Sequence, residues 1–314
     1  MRRQAYLRLS MVLLMAVRAI GAQEQVSPPE SFQIRVDVDL VVLQASVHDR
    51  KGGLVPDLRE QDFQVFEDGV RQSIRLFRHE DVPVIVGLVI DHSSSMALKM
   101  PEVLAAARTF VRAGNPADRM FVINFNEKVS EGLPPGVPFS NRPDDLAQAI
   151  AGAPTAGQTA LYDAVALAFV RLKNASKSPG IPEKQVLIVI SDGGDNASSR
   201  SLAEVLKTAE EASVLVYTIG IFGQDDPDRN PAVLRRLARA TGGEAFFPVH
   251  PAEAVSICES IAHDIRNQYA LGYVSTNVTR PGAFRSVRVT AGKLQVRTRS
   301  GYIAASGPGG GGAP

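Results

Sequence analysis

Two short apolar runs, each closed by a carboxylate, constrain this chain more than any other feature. Residues 84–90 read Val-Ile-Val-Gly-Leu-Val-Ile and stop at Asp91; residues 186–190 read Val-Leu-Ile-Val-Ile and stop at Ser191 and Asp192. Runs this short and β-branched, without a polar position, fit strands covered on both faces, the condition of a parallel sheet lying between helices. Pro83 is tolerated at a strand start. Open sheets of this kind bind ligands beyond the carboxyl ends of their strands, where both runs place an acid.

The surrounding pattern agrees. From residue 84 strands alternate with helices, which predicts an α/β fold with a doubly wound, mostly parallel sheet. Pro101 suits the first turn of a helix with Val103, Ala107 and Phe110 on its apolar stripe and Gly114 at its end. A strand is expected over residues 120–125, then helices near 144–150 and over 161–172. Ser201-Leu-Ala-Glu204 is a capping box that opens a helix reaching Ala212. A strand over 214–222, helices over 231–240 and 252–267, and a short strand over 245–249 complete the alternation.

Both flanks read differently. Residues 32–48 are strand-like, Phe63 and Val65 alternate with polar residues, Asp68-Gly69 marks a hairpin, and Ile74 and Leu76 alternate on the return. After Gln268 the period of two comes back in Tyr269, Leu271 and Tyr273, then Val287 and Val289, then Leu294 and Val296. Each flank is too small for a convincing domain, so the two are expected to pair as one β-sandwich into which the α/β part is inserted. Arg285, Arg288, Arg297 and Arg299 are expected on its wet face.

Composition narrows the function classes. The chain has 314 residues, 34 Lys+Arg and 33 Asp+Glu, so no strong field points to nucleic acid or an anionic membrane as partner. The start has a secretory layout: a basic Met-Arg-Arg, an apolar stretch, then Ala19-Ile-Gly-Ala22. Arg2, Arg3, Arg8 and Arg18 belong to it, so cleavage would leave 30 basic residues against 33 acidic. No later stretch is apolar over a membrane-spanning length. Cys258 is the single cysteine and excludes an intrachain disulfide or zinc framework; its helical spacing with Ala254, Ile261 and Ile265 fits a small buried hydrophobe. The expected organisation is a signal segment at 1–22, an N-terminal β segment at 31–80, an α/β domain at 82–267, a C-terminal β segment at 268–305 and a disordered Gly/Pro tail at 306–314. The expected location is the periplasm or the exterior.

Candidate chemistry gathers at the strand ends. Side chains two apart in extended backbone share a face, so Asp91, Ser93 and Ser95 can present one carboxylate and two hydroxyls to one point. Gly157-Gln-Thr159-Ala-Leu-Tyr-Asp163 puts a loop hydroxyl at a helix start, and Asp192-Gly-Gly closes the second apolar run. Small oxygen donors suit a hard divalent cation. His92 is the only histidine near these loops. Asp195 and Asn196 are expected to satisfy loop or helix-start backbone, and Asp225-Asp226-Pro-Asp228 reads as a solvated turn.

These three loops, in this order, resemble the von Willebrand factor A domain and its metal-ion-dependent adhesion site, over about residues 82–267. Asp62-Phe-Gln-Val-Phe-Glu-Asp-Gly69, Tyr269-Ala-Leu-Gly-Tyr273 and Arg299-Ser-Gly-Tyr302 extend the likeness to the exported VWFA-related family of acidobacterial type. The resemblance implies Ser93 and Ser95 as direct hydroxyl ligands, Thr159 as a ligand directly or through water, and Asp91 and Asp192 acting largely through water. It implies a divalent cation, Mg²⁺ first with Ca²⁺ or Mn²⁺ as alternatives, and a protein partner whose Asp or Glu completes the coordination. Ser94 departs from the glycine most common between the two serines.

The function expected is therefore a secreted or periplasmic binding protein, not an enzyme. A metal-assisted hydrolase is the rival reading, opposed by the shortage of base candidates and by the absence of nucleophile-elbow, phosphate-loop and His-Glu-X-X-His motifs. A structural envelope protein with a vestigial site is the third.

Overall fold

The computed structural model describes residues 40–175, 183–223, 229–277 and 282–304. The expected signal segment, the acidic run at 225–228 and the Gly/Pro tail lie outside them. The chain opens with β1 (Leu40–His48), β2 (Phe63–Glu67), β3 (Val70–Gln72) and β4 (Ile74–Arg78). The alternating region follows as β5 (Val84–Asp91), α1 (Met100–Ala113), β6 (Arg119–Phe125), β7 (Val129–Glu131), α2 (Pro143–Ala151) and α3 (Leu161–Ala175). It continues with β8 (Lys184–Ser191), α4 (Leu202–Glu211), β9 (Val214–Gly220), α5 (Pro231–Thr241), β10 (Ala245–Phe246) and α6 (Ala254–Arg266). Then come β11 (Tyr269–Val274), β12 (Phe284–Ala291), β13 (Gln295–Arg297) and β14 (Gly301–Ile303).

Among the described residues the central sheet runs β10-β9-β8-β5-β6-β7, parallel except for β7. β5 and β8 lie side by side at its middle, and every residue of β5 is buried. The apolar reading of both runs thus follows from cover on two faces: α1 packs with α2 and α6, and α4 with α3 and α5. Their side chains close a core that includes Leu88, Phe110, Ile188 and Leu234. Cys258 is buried in it, and burial pushes its thiol up to about 12.

Local chemistry sets several boundaries. Pro101 stands in the first turn of α1, and Ser201 with Glu204 closes the reciprocal capping box of α4. β7 was not legible in the sequence, because its three residues sit in a loop rich in Gly and Pro. β10 is shorter than expected; only Ala245 and Phe246 find a partner, on β9.

The flanking strands form two four-stranded sheets, β13-β1-β11-β4 and β14-β12-β2-β3, each drawing strands from both ends of the chain. They share a core of Leu43, Val65, Tyr269, Leu271, Val289 and neighbours. The return from the Asp68-Gly69 hairpin is not one strand. β3 pairs with β2, while β4 pairs with β11 in the other sheet, so the chain changes sheets at Ser73. Asp68 and Gly69 both take positive φ, 47° and 81°, the conformation a two-residue hairpin needs.

Of the arginines expected on the wet face, Arg285 is inside and Arg297 and Arg299 are half-buried. Arg285 is buried against Glu67, and Arg297 reaches Glu244 and Asp264. Arg285 shares the inward face of β12 with Val287 and Val289, where Glu67 compensates its charge, while Arg297 lies between the partly exposed Glu244 and the buried Asp264. Arg288 is exposed and lies over the Phe66 ring, as expected of that face.

Candidate metal centre

Three loops leave the carboxyl ends of β5 and β8 and the start of α3, and hydrogen bonds bind them together. Asp91 is the last residue of β5 and has no exposure. Its Oδ1 accepts the Ser93 backbone N–H at 2.8 Å, and its Oδ2 accepts the Ser191 hydroxyl at 2.7 Å. Ser93 is extended and Ser94–Lys99 is a 3-10 turn, so Ser95 reaches Ser93 by chain reversal rather than by strand alternation. The outcome is still a shared point: the two hydroxyls lie 3.1 Å apart. Ser95 also donates to Asp192 Oδ2 at 2.5 Å, and Asp192 Oδ1 accepts the Gly194 N–H at 3.0 Å.

Asp91, Ser93, Ser95 and Asp192 are therefore brought into one hydrogen-bonded cluster. Thr159 stands on the adjoining loop, buried, and Asn196 grips its backbone from both sides: Asn196 Oδ1 accepts the Thr159 N–H, and Asn196 N–H donates to the Thr159 carbonyl. Its hydroxyl makes no hydrogen bond among the described residues. Asp195 accepts the Tyr162 N–H at 2.9 Å at the start of α3, the backbone role its position suggested.

Two glycines permit the loops to approach. Gly157 has φ +84°, and a Cβ there would lie 1.9 Å from Glu127 Oε2; Gly193 has φ +82°, and a Cβ would lie 2.4 Å from the Asn230 carbonyl oxygen. Three further residues position the ligands, of which Asn196 takes the backbone role expected of it and the other two were not foreseen. Ser191 orients Asp91, Asn196 holds Thr159, and Ser94 ties the first loop to the second by accepting the Gly157 N–H at 3.0 Å and donating to its carbonyl at 3.3 Å. For Ser191 the only signal was its position beside Asp192, and for Ser94 its departure from glycine.

The donor set fits a hard cation. It comprises three hydroxyls and two carboxylates, and among the described residues no group of three or more His, Cys, Asp or Glu side chains is disposed to hold a metal. Burial pushes the Asp91 carboxyl up to about 6, and the neighbouring charge of Asp192 adds to this against hydrogen bonds from Ser93 and Ser191. Two buried acids in contact through hydroxyls present negative potential that a divalent cation would relieve. His92 turns away from this point: its ring meets Asn124 Oδ1 at 3.2 Å and Thr155 Oγ1 at 3.4 Å, and burial holds its pKa below the usual value.

Comparison with known proteins places the chain. The family model of the von Willebrand factor type A domain matches residues 86–259. A solved von Willebrand factor type A protein from Catenulispora acidiphila is similar at 13% identity over 86% of this chain and 74% of its own, with a TM-score of 0.52. The vWF domain of the type V pili tip protein Mfa5 from Porphyromonas gingivalis is similar at 14% identity over 59% of this chain and 95% of its own, with a TM-score of 0.48. Proximal thread matrix protein 1 from the mussel byssus, solved with a zinc occupied MIDAS motif, is similar at 17% identity over 60% of this chain and 49% of its own, with a TM-score of 0.49. Among the described residues no helix is long and apolar enough to cross a membrane. Because the family model spans more than half of its length, the chain belongs to the von Willebrand factor type A domain family.

Proposed function

We propose that this chain is an exported binding protein that holds a divalent cation at the ends of β5 and β8 and uses it to bridge to an acidic residue of a protein partner. The observation that carries the reading is the cluster of Asp91, Ser93, Ser95 and Asp192 around a buried, uphill-shifted carboxyl. Members of this family often mediate protein–protein interaction through such a metal. In this reading Ser93 and Ser95 coordinate directly and Thr159 coordinates directly or through water. Both oxygens of Asp91 already accept protein donors, which suits an acid that acts through water. Hydroxyl ligands leave the cation undercompensated, so a partner's Asp or Glu is drawn to it. Mg²⁺ is the first choice, with Ca²⁺ or Mn²⁺ as alternatives. The binding module is assigned to residues 82–267, flanked by the β segments at 31–80 and 268–305, and export rests on the basic-then-apolar start. A non-enzymatic role is supported by His92, which is spent on Asn124 and Thr155.

Calorimetric titration of Mg²⁺ and Ca²⁺ into the metal-stripped protein tests this, beside Asp91→Ala and Ser93→Ala. Saturable binding is expected in the parent and lost in both variants, with circular dichroism unchanged because Asp91 ends β5 and Ser93 lies in the loop beyond it, so neither substitution interrupts an element. A parent that takes up neither cation up to about 10 mM, beyond the weakest extracellular sites, would overturn it.

A further inference from the structure

One flank of the metal centre carries a stack of guanidinium groups and rings that the cation reading does not use. Phe222 follows β9 and Phe247 follows β10, and their rings stack 5.7 Å apart at 13°. Both rings lie over Gly220, where a Cβ would meet Phe247 at 2.7 Å and Phe222 at 2.8 Å. The Arg229 guanidinium covers Phe222 at 5.0 Å, and the Arg235 guanidinium covers Phe247 at 4.4 Å. The order is cation, ring, ring, cation.

This stack adjoins the candidate ligands through the backbone. Asn230, next to Arg229, donates its N–H to the Asp192 carbonyl at 2.8 Å, and Lys99, at the end of the turn that begins beside Ser93, gives its ammonium to the Ile221 carbonyl at 2.9 Å. Leu98 in that turn is 93% exposed. Arg235 continues into a cavity of about 360 Å³ that Arg239 also lines, together with the Glu244–Arg297 ion pair. α5 has three arginines and no acid, and neither Arg229 nor any arginine of α5 forms an ion pair among the described residues. The opposite flank, beyond β6, presents Glu127, whose Oε2 accepts the Gln158 N–H.

A guanidinium already held over a ring loses less further freedom when it forks onto a carboxylate. We propose that Arg229 and Arg235, stacked on Phe222 and Phe247 and continued by Arg239, form a second contact surface on which an acidic protein segment lays further carboxylates beside the one that reaches the cation. This assignment rests on the cation-bridge reading for the first carboxylate and adds the chemistry of the rest of the partner: several acids, running toward β9 and β10.

The probe is a fluorescein-labelled peptide with four aspartates, read by anisotropy in Mg²⁺ against the parent, Ser93→Ala and Arg229→Gln/Arg235→Gln. A matched asparagine peptide is the control, and oligothymidylate and phosphatidylserine vesicles are competing anions. The parent is expected to bind only the aspartate peptide. The arginine variant should lose about tenfold in affinity, the scale of a forfeited charge-assisted contact, while its calorimetric Mg²⁺ uptake and melting temperature match the parent. Equal peptide affinity in parent and arginine variant, or no binding by the parent, would overturn the proposal. Tighter binding of oligothymidylate or vesicles than of peptide, lost in the arginine variant, would overturn the choice of a protein segment. A parent without Mg²⁺ uptake whose chelator-treated peptide binding still falls in the arginine variant would sink the cation reading alone and keep this surface.

Discussion

Glu67 in the sandwich and Asp91 at the edge of the parallel sheet are both buried acids surrounded by hydroxyls, yet their carboxyls are driven in opposite directions. Glu67 accepts from Tyr302 at 2.7 Å, Tyr273 at 2.8 Å and Ser275 at 2.5 Å, and pairs with the Arg285 guanidinium at 3.1 Å. Burial pushes it up, but these partners together hold it below its ordinary value. Burial pushes Asp91 up to about 6, and what faces it besides hydroxyl and backbone donors is a second acid, Asp192. A buried carboxylate with its own guanidinium is a finished structural element, clamping β2 to β11, β12 and β14. A buried acid pair with hydroxyls and a neighbouring charge of like sign is unfinished, which is what a site for an incoming cation requires.

The comparison breaks first at Glu67. Glu67→Ala removes the carboxylate that compensates the Arg285 guanidinium, whose side chain is only 9% exposed, and takes the acceptor from three hydroxyls at once. A loss of about 3–5 kcal/mol in denaturant unfolding is expected, as for breaking a buried ion pair. A loss under about 1 kcal/mol would mean that the clamp does not hold the two ends of the chain.

Asp91→Asn should act in the opposite sense in the cation-free protein. The wild-type carboxyl is raised from 3.8 to about 6, so its penalty is absent below the lower value, grows as pH rises between the two, and is complete above the higher. The substitution removes a penalty on the order of 3 kcal/mol at neutral pH, and the difference from wild type should vanish near pH 4. Glu67 gives the contrary slope, since its contribution is whole above 4.5 and fades as pH falls through its lower folded value. Chelator-treated melting curves across this range check both signs. Destabilisation by Asp91→Asn at neutral pH would contradict the contrast between the two acids.

The smallest effect is expected at Ser94→Gly, which removes the two side-chain hydrogen bonds to Gly157 and adds backbone freedom to a loop the family most often closes with glycine. About 1 kcal/mol of stability and a modestly weaker cation affinity should be lost. Tighter cation binding in this variant would show that the staple opposes the loop geometry rather than supporting it.

Much of this was legible along the chain because it depends on local rules. Apolar runs without alternation announce strands covered on two faces, and β5 and β8 are those strands at the centre of the sheet. Their last residues had to emerge at one edge, which put Asp91 and Asp192 within reach of each other. The Ser201 capping box and the Asp68-Gly69 hairpin follow from hydrogen bonds and dihedrals spanning four residues or fewer. Arg285 was misplaced because its charge argued for water although it keeps the inward parity of Val287 and Val289, and Arg297 because alternation does not report that an acid from another element waits beside it.

By itself, then, the sequence determined the type and order of most elements, β7 and the break between β3 and β4 excepted, and the sheet edge at which Asp91 and Asp192 gather, since each depends on near neighbours. Only the tertiary structure decided that the chain changes sheets at Ser73, that Ser191 and Asn196 orient Asp91 and Thr159, and that Arg229 and Arg235 stack beside the site. Those contacts join residues as much as 199 positions apart, as Ile74 and Tyr273 are, and their geometry exists only once the core has closed around them.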